Sequence, residues 1–231
     1  MMSFESRDER TVKLIGSASV NKLRNSKVAI FGVGGVGSYV SEALSRAGVG
    51  NITLIDGDEV TLSNINRQLI ALSSTMGKNK AVAMAERIKD IDPEIKVEVI
   101  DKYYLPGDDF SFTKFDYVVD AIDDIKAKVD IIKSCYNNDV KVISAMGAGN
   151  KIYNDCFRVS YLSETHTDPL AKIMRKRLRE EKIDRVKVVF SSEKPISVEG
   201  TPGTLSYVPG TEGLVIAGEV IREIIGINKK E

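Results

Sequence analysis

Cysteine and histidine are scarce in this sequence, and the shortage of cysteine argues against two structures that depend on it, a four-cysteine zinc site and a disulfide framework. The 231 residues include one histidine and two cysteines, and the cysteines, Cys135 and Cys156, form no C-x-x-C pair. A zinc site built from four cysteines is therefore impossible, and a disulfide framework is not expected. We expect Cys135 to be a core residue of a helix and Cys156 to be structural, whereas a general-base role for His166 stays open.

Long apolar runs and an excess of charge of one sign are also missing. No run approaches the length of a membrane span, and residues 1–10 are charged and lack the apolar region of a signal peptide. Lysine and arginine together number 33, as do aspartate and glutamate, so an RNA contact would need a local basic patch. The sequence predicts a cytoplasmic protein without a membrane span and leaves peripheral association with a membrane open.

One stretch combines a short apolar run with closely spaced glycines. Residues 28–31 (Val-Ala-Ile-Phe) are typical of a buried strand, and Gly32-x-Gly34-x-x-Gly37 follows before a helical pattern. This order predicts a nucleotide-phosphate site, because the glycines let the backbone approach a phosphate and the helix presents free N–H groups. On its own, the motif would indicate a dinucleotide oxidoreductase.

Polar residues after the next predicted strand favour a triphosphate instead. That strand, residues 51–56, ends in Asp56, a candidate ligand of ribose hydroxyls. The following segment carries amides and cations suited to a polyphosphate: Asn64, Arg67, Gln68 and Lys80. A triphosphate attacked at its α-phosphorus needs cations on its β and γ groups, whereas the glycine-loop backbone satisfies the diphosphate of a nicotinamide cofactor. The alternative is that Arg67 and Lys80 are ordinary surface residues.

A cluster of carboxylates ends the fourth predicted strand. Residues 117–122 form that strand, and its end reads Asp120-Ala-Ile-Asp123-Asp124. Ligands of open α/β sheets bind at the carboxyl ends of parallel strands, where one carboxylate can help to hold Mg²⁺. We therefore predict that Asp123 faces the ligand and the metal, whereas Asp124 caps the helix that follows.

The alternation of strand and helix patterns predicts an α/β fold. We expect a Rossmann-like, mostly parallel sheet with helices on both faces, plus a C-terminal mixed-strand extension. Residues 1–231 are predicted to form one domain, made of a helical lead-in (1–26), a nucleotide-binding core (27–150) and a C-terminal part (151–231). The C-terminal part is predicted to contain strands, a basic helix and a closing helix from about 212 to 225, after a long loop over 197–211.

The basic helix, predicted to start at Asp168, concentrates positive charge in an otherwise neutral chain. Eight cations fall within the sixteen residues 172–187, and the helix itself contributes Lys172, Arg175, Lys176 and Arg179. Such a patch can track a phosphate backbone, although a solvated helix face is an alternative of equal weight.

Together these motifs resemble the adenylating superfamily of ubiquitin-activating enzymes and bacterial activators of sulfur-carrier proteins. The resemblance rests on R-x-x-R before L-x-G, then GxGGxGS, D-x-D, SNxxRQ, GxxK and the acidic cluster. It implies a dimeric enzyme that uses ATP to adenylate a carboxylate and releases pyrophosphate. By position, it implies that the phosphate loop and ribose site consist of Gly32, Gly34, Gly35, Gly37, Asp56 and Asp58. It implies that the triphosphate contacts are Asn64, Arg67, Gln68 and Lys80. Asp123 would then be the magnesium-linked acid, and Arg10 the arginine that reaches into the neighbouring subunit's site.

The second half resembles one branch, the bacterial tRNA threonylcarbamoyladenosine dehydratases. The residues that carry this are Gly147-Ala-Gly149, Asp168-Pro-Leu170 with its basic helix, and Gly203-Thr-x-Ser-x-Val-Pro209. The resemblance implies ATP-dependent cyclic dehydration of the modified adenosine beside the tRNA anticodon, with Mg²⁺, no zinc, a homodimer, and sulfur-transfer or redox proteins as further partners. The alternative is an adenylyltransferase that activates the C-terminus of a ubiquitin-like or sulfur-carrier protein.

Overall fold

The structure is a computed structural model that describes residues 7–227. Within it, seven strands form one sheet: β1 (Lys27–Phe31), β2 (Asn51–Ile55), β3 (Lys96–Ile100), β4 (Tyr117–Asp120), β5 (Lys141–Ala145), β6 (Phe157–Tyr161) and β7 (Lys187–Ser191). Their order is β3-β2-β1-β4-β5-β7-β6, and every neighbouring pair is parallel except β7 with β6. The C-terminal strands therefore extend the same sheet, and β6 makes it mixed.

Seven α-helices accompany the sheet in the described residues: α1 (Glu9–Ile15), α2 (Ser17–Asn25), α3 (Gly37–Arg46), α4 (Lys80–Ile91), α5 (Ile125–Asn137), α6 (Pro169–Glu180) and α7 (Tyr207–Ile225). Alternate residues of a strand face opposite sides of a sheet. In β1, Val28 and Ile30 pack in the cluster formed with α3, α4 and α7, whereas Ala29 and Phe31 pack in a cluster with α5. Helices thus cover both faces, and the predicted α/β class is confirmed.

The sheet changes winding direction between β1 and β4. The chain runs outward from β1 through β2 to β3, and it then returns to place β4 on the other side of β1. The connections that follow β1 and β4 therefore diverge, and a crevice opens at the carboxyl ends of these strands. This is the place where open α/β sheets bind ligands.

The closing helix starts earlier than predicted, because two glycines that suggested a loop lie within it and pack against α3. It begins at Tyr207, about one and a half turns before the expected position, and the preceding loop covers 192–206. A side chain on Gly213 would lie 2.5 Å from the carbonyl oxygen of Val36, and one on Gly210 would lie 3.2 Å from the ring of Tyr39. These glycines let α7 approach α3 closely, whereas their sequence context suggested a loop.

The lead-in is helical in its described part, as predicted, and consists of the two helices α1 and α2. Gly16 separates α1 from α2 with a φ of 79°, a left-handed conformation that suits glycine and interrupts a helix. Residues 1–6 of the predicted lead-in and residues 228–231 of the predicted C-terminal part lie outside the described residues. Across residues 7–227, none of the helices has both the length and the apolar character required to cross a membrane.

Candidate functional site

A cleft of about 790 Å³ lies at the carboxyl ends of β1, β2 and β4. Its walls include all but one of the residues predicted to contact a nucleotide: Gly32, Gly34, Gly35, Asp56, Asp58, Asn64, Arg67, Gln68, Lys80 and Asp123. These residues are spread over 92 positions of sequence (from 32 to 123), and the winding of the sheet brings them together.

Two positions in the loop after β1 must be glycine, because other backbone atoms approach them closely. Gly32 has a φ of 85°, and a side chain there would lie 2.7 Å from the carbonyl oxygen of Ala121. A side chain on Gly37 would lie 1.8 Å from the carbonyl oxygen of Gly32. Gly37 therefore packs the start of α3 against the loop, and it is the one predicted nucleotide residue that does not line the cleft.

The carboxylate of Asp56 organises the floor of the cleft. Its Oδ2 accepts a hydrogen bond from the Val33 N–H (2.6 Å), and its Oδ1 accepts one from the Asp58 N–H (2.8 Å). Burial raises the pKa of Asp56, and the two backbone hydrogen bonds oppose that rise. Each oxygen keeps a lone pair, so Asp56 can still accept a ligand hydroxyl while it fixes the glycine loop.

Lys80 is held in the cleft by Asp58. The lysine begins α4, is only 6% exposed, and donates a 2.6 Å hydrogen bond from Nζ to Asp58 Oδ2. Tyr103 donates to the other oxygen of Asp58 at 2.5 Å. Burial would raise the pKa of Asp58, but the hydrogen bonds from Lys80 and Tyr103 hold it below its ordinary value. The ion pair with Asp58 therefore orients the Lys80 side chain in a largely buried position.

Arg67 and two amides form the wall on the β2 side. Arg67 donates from Nη1 to the Ser63 carbonyl oxygen (2.7 Å) and to Asn66 Oδ1 (2.9 Å), so its remaining guanidinium nitrogens can meet an anion. Asn64 is buried, and its Oδ1 accepts from the Thr61 N–H. Gln68 is also buried, and its Oε1 has no hydrogen-bond partner among the described residues. A buried amide oxygen without a partner is costly, which is consistent with a site that awaits a polar ligand.

The two carboxylates after β4 behave differently from each other. Asp124 Oδ1 accepts from the Ala127 N–H at 2.7 Å and caps α5, which confirms the predicted N-cap. Asp123 is exposed on the cleft wall. Residues 7–227 contain no group of three or more His, Cys, Asp or Glu side chains placed to bind a metal. A magnesium ion here would depend on Asp123 and on the oxygens of a bound phosphate.

Several cleft residues were not foreseen from the sequence. Tyr103 follows β3, and Lys126 lies in the first turn of α5. Thr201, Pro202 and Thr204 come from the loop before α7 and close the far side. The positions of Tyr103 and Lys126 just after parallel strands were a usable signal, and Thr204 belongs to a motif that carries the resemblance, whereas Thr201 and Pro202 carried no signal.

The remaining predicted residues lie outside the cleft. Arg10 is exposed on α1 and does not line it. On α6, Lys172, Lys176 and Arg179 are exposed, whereas Arg175 is partly buried and donates to the Thr165 carbonyl oxygen at 2.8 Å. Three of the four predicted RNA-contacting cations thus point to solvent, and the fourth anchors a loop.

The chain matches the ThiF family over residues 6–231. It is 40% identical to the tRNA threonylcarbamoyladenosine dehydratase of Bacillus subtilis over 232 aligned positions, which cover 91% of each chain. It is also similar to the crystal structure of the Escherichia coli tRNA N6-threonylcarbamoyladenosine dehydratase TcdA in complex with ATP, at a TM-score of 0.89 and 34% identity over 95% of this chain and 94% of that one. The complex of the same enzyme with AMP gives a TM-score of 0.88 at 34% identity, over 94% and 93% of the two chains. The chain therefore belongs to the ThiF family, in the group of the tRNA threonylcarbamoyladenosine dehydratases.

Proposed function

We propose that this protein catalyses the ATP-dependent cyclic dehydration of N6-threonylcarbamoyladenosine beside the anticodon of tRNA. The observation that carries the proposal is the cleft, which gathers a glycine loop, the cations Arg67 and Lys80, and the acid Asp123 around one space. This is the constellation that an adenylate-forming reaction requires, in a chain closely related to enzymes named for this dehydration.

The proposed reaction has two steps. In the first step, the threonyl carboxylate attacks the α-phosphorus of ATP, an acyl adenylate forms, and pyrophosphate leaves. In the second step, a nucleophilic group of the same modified base attacks the acyl carbon and gives up its proton to solvent. The bond between the acyl carbon and the adenylate oxygen breaks, the ring closes, and AMP departs with the former carboxylate oxygen. The net change in the nucleoside is the loss of one water.

The residues of the cleft match the charge changes of the first step. The backbone N–H groups of the glycine loop and the start of α3 would bind phosphate oxygens, as helix N-termini commonly do. Arg67 and Lys80 would stabilise the negative charge that develops on the departing pyrophosphate. Because Asp58 orients Lys80 before ligand binds, little reorganisation is needed when the triphosphate arrives.

Asp123 fits a magnesium ion that is shared with the triphosphate. Mg²⁺ is usually bound through one or two carboxylates together with substrate phosphates, and Asp123 is an exposed carboxylate on the cleft wall. When bound, the ion would neutralise phosphate charge.

The second step needs no nucleophile from the enzyme. The attacking group belongs to the same substrate as the acyl adenylate, and this proximity supplies a high effective concentration. Cys135 is fully buried, and burial raises the pKa of its thiol, so it cannot act as a nucleophile at neutral pH. Ring closure needs neither this thiol nor that of Cys156, which is partly exposed but does not line the cleft.

A stripe of cations on α6 supports tRNA as the substrate. Lys172, Lys176 and Arg179 are spaced by four and three residues, so they lie on one face over about 10 Å of helix. The helix starts beside the cleft, because its N-cap Asp168 accepts a hydrogen bond from the Gly147 N–H, and Gly149 lines the cleft. The stripe can thus follow a phosphate backbone away from the reacting nucleotide. As tRNA would be the substrate, we expect the protein in the cytoplasm.

The proposal includes a homodimer in which Arg10 completes the neighbouring subunit's site. Arg10 is exposed and lies outside its own cleft, which supports a role in a second copy. Sulfur-transfer or redox proteins remain further candidate partners.

Substrate dependence of AMP formation tests the proposal. The protein is incubated with Mg-ATP and either tRNA that carries threonylcarbamoyladenosine, the same tRNA without the modification, or a sulfur-carrier protein. We expect stoichiometric AMP and pyrophosphate with the modified tRNA alone. AMP formation that depends on the carrier protein would favour the alternative.

A further inference from the structure

The turn between β5 and β6, residues 146–151, forms one wall of the cleft. Buried ionisable side chains that do not line the cleft hold this turn in place. Ala148 and Gly149 of this turn line the cleft. Among the described residues, the backbone groups of these two residues make no hydrogen bond, whereas their neighbours in the turn do. The unpaired peptide groups are therefore available to a ligand in the cleft.

Glu212 of α7 supports the beginning of this turn. It is fully buried, and its Oε1 accepts a hydrogen bond at 3.0 Å from the Met146 N–H, which it shares with the Val189 carbonyl oxygen of β7 at 2.9 Å. Its Oε2 is also buried and has no partner among the described residues. A buried carboxyl group is expensive to keep, and the one hydrogen bond that Glu212 makes among the described residues is to this turn.

An ion pair supports the middle of the turn. Lys151 and Asp168 are 3% and 2% exposed, and they pair at 2.8 Å. Asp168 Oδ2 also accepts from the Gly147 N–H at 3.1 Å, and Lys151 donates to the Gly147 carbonyl oxygen. The N–H and the carbonyl oxygen of Gly147 are therefore both held by this ion pair.

We propose that Glu212 is a positioning residue which, with the Lys151–Asp168 pair, holds the turn 146–151 so that the peptide groups of Ala148 and Gly149 contact the acyl group of the substrate. The inference rests on the proposed function, because it assigns this wall of the cleft to the reacting carboxyl group. The nucleotide phosphates, in contrast, are assigned to the opposite wall formed by the glycine loop.

The charged groups around Glu212 predict how its protonation affects the turn. Lys151, Asp168 and Lys128 face it from the turn, from the start of α6 and from α5, and burial raises its pKa to about 8. At neutral pH the carboxyl group is therefore protonated, because the cost of burying a charge outweighs the attraction of Lys151 and Lys128. Ionisation above that value would place a buried negative charge where it competes with Asp168 for Lys151. Such a charge would disturb the turn that both residues hold.

The test compares wild type with Glu212→Ala, Glu212→Gln and a matched control, Glu219→Gln. Glu219 lies two turns further along α7 and pairs with Lys187 at the opposite end of the helix. For each variant, the ATP dissociation constant and the kcat for AMP release with modified tRNA are measured between pH 6 and 9.5. Glutamine has the shape and hydrogen-bonding needs of a protonated Glu212, so it serves as the conservative replacement.

We expect Glu212→Ala to lower kcat about tenfold or more while ATP affinity stays within about twofold of wild type. We expect wild type and Glu219→Gln to lose kcat above about pH 8, whereas Glu212→Gln keeps its activity there. If Glu212→Ala does not fold, the pH profile of Glu212→Gln decides the question. Three results would overturn this inference and leave the proposed function intact. They are a pH profile of Glu212→Gln identical to that of wild type, an unchanged kcat in a folded Glu212→Ala, and a loss of ATP affinity in Glu212→Ala as large as its loss of kcat. A wild type that forms no AMP with any tRNA would overturn the proposed function and the inference with it.

Discussion

Lys80 and Arg67 are held in the cleft by partners of different kinds. Lys80 pairs with the carboxylate of Asp58, whereas Arg67 donates to the carbonyl oxygen of Ser63 and the amide oxygen of Asn66. Asp58 takes one of the three N–H donors of Lys80 and leaves two for a phosphate, whereas Arg67 keeps the nitrogens other than Nη1 for it. The two cations therefore contribute separately, and each is open to its own test.

We expect Lys80→Met and Arg67→Ala each to slow AMP formation by at least about 30-fold, which corresponds to a loss of about 2 kcal/mol of transition-state stabilisation. The reason is that each variant removes one cation from the departing pyrophosphate. Lys78→Met is the control, because Lys78 pairs with Glu86 and does not line the cleft. Single-turnover rates at saturating ATP measure the effect, and rates equal to that of the control would contradict the assignment.

Gly37 is the glycine of the loop that tolerates a side chain least. We expect Gly37→Ala to destabilise the protein by about 2 kcal/mol or more, because its methyl group would meet the Gly32 carbonyl oxygen at 1.8 Å. Gly34→Ala is the control, since its nearest contact would be an ordinary 3.7 Å to Gln68. Chemical denaturation of both variants measures the difference. Equal stability of the two variants would show that the loop is looser than the structure describes.

Glu212 also affects the dependence of stability on pH. Its pKa is about 8 in the folded protein and 4.5 for an ordinary glutamate, so the folded state retains a proton that the unfolded state releases. Folding stability therefore falls as pH rises from about 4.5 to about 8 and levels off above that value.

Glu212→Gln removes this titration from the protein. Its stability relative to wild type should therefore grow across the same pH range, by an amount on the order of a few kcal/mol. Thermal unfolding of both proteins at pH 5, 6.5 and 8 measures the trend. A constant difference between the two proteins across these pH values would contradict it.

Helix α6 presents a buried apolar face and an exposed cationic face. Met174 and Leu178 are fully buried in a cluster with α5 and β7, whereas Lys172, Lys176 and Arg179 are exposed on another face. An exposed charged face is common on helices, but this one starts beside the cleft and carries three cations in register.

We expect the triple reversal of Lys172, Lys176 and Arg179 to glutamate to weaken tRNA binding about tenfold or more at low salt, without a change in ATP affinity. The salt dependence of binding should also become shallower, because fewer counterions are released. Arg177→Glu is the control, since Arg177 lies about a third of a turn away from the stripe on the same helix. Filter binding at several salt concentrations measures this. If the triple variant and the control bind alike, the stripe is only a solvated face.

Most of the sheet and much of the cleft could be predicted because local signals agree with the fold. Short apolar runs that end in glycine or aspartate mark β1, β2 and β4, and the ligand edge of a parallel sheet follows from that order. The start of α7 could not be predicted, because Gly210 and Gly213 read as loop residues unless their contact with α3 is known. Glu212 was missed for the same reason, since its burial depends on the packing of α7 against the turn after β5.

The proposed homodimer gives a test of the predicted role of Arg10. We expect Arg10→Ala and Lys80→Met to be inactive alone and to recover roughly a quarter of wild-type activity when their subunits are mixed and allowed to exchange. Half of the randomly formed dimers would then be mixed, and each would contain one complete site of two. Activity of the mixture is compared with that of each variant alone. No recovery despite verified exchange would contradict a site shared between two subunits.

The most direct test of the whole proposal is mass spectrometry of nucleosides from tRNA treated with the protein. The tRNA carries threonylcarbamoyladenosine, and Mg-ATP is present, while a parallel sample contains Lys80→Met in place of the wild type. We predict that the wild type converts the modified nucleoside to a product lighter by one water, with one AMP formed for each conversion, and that Lys80→Met does not. AMP formation without any change in nucleoside mass, or no reaction by a folded protein that binds ATP, would contradict the proposal.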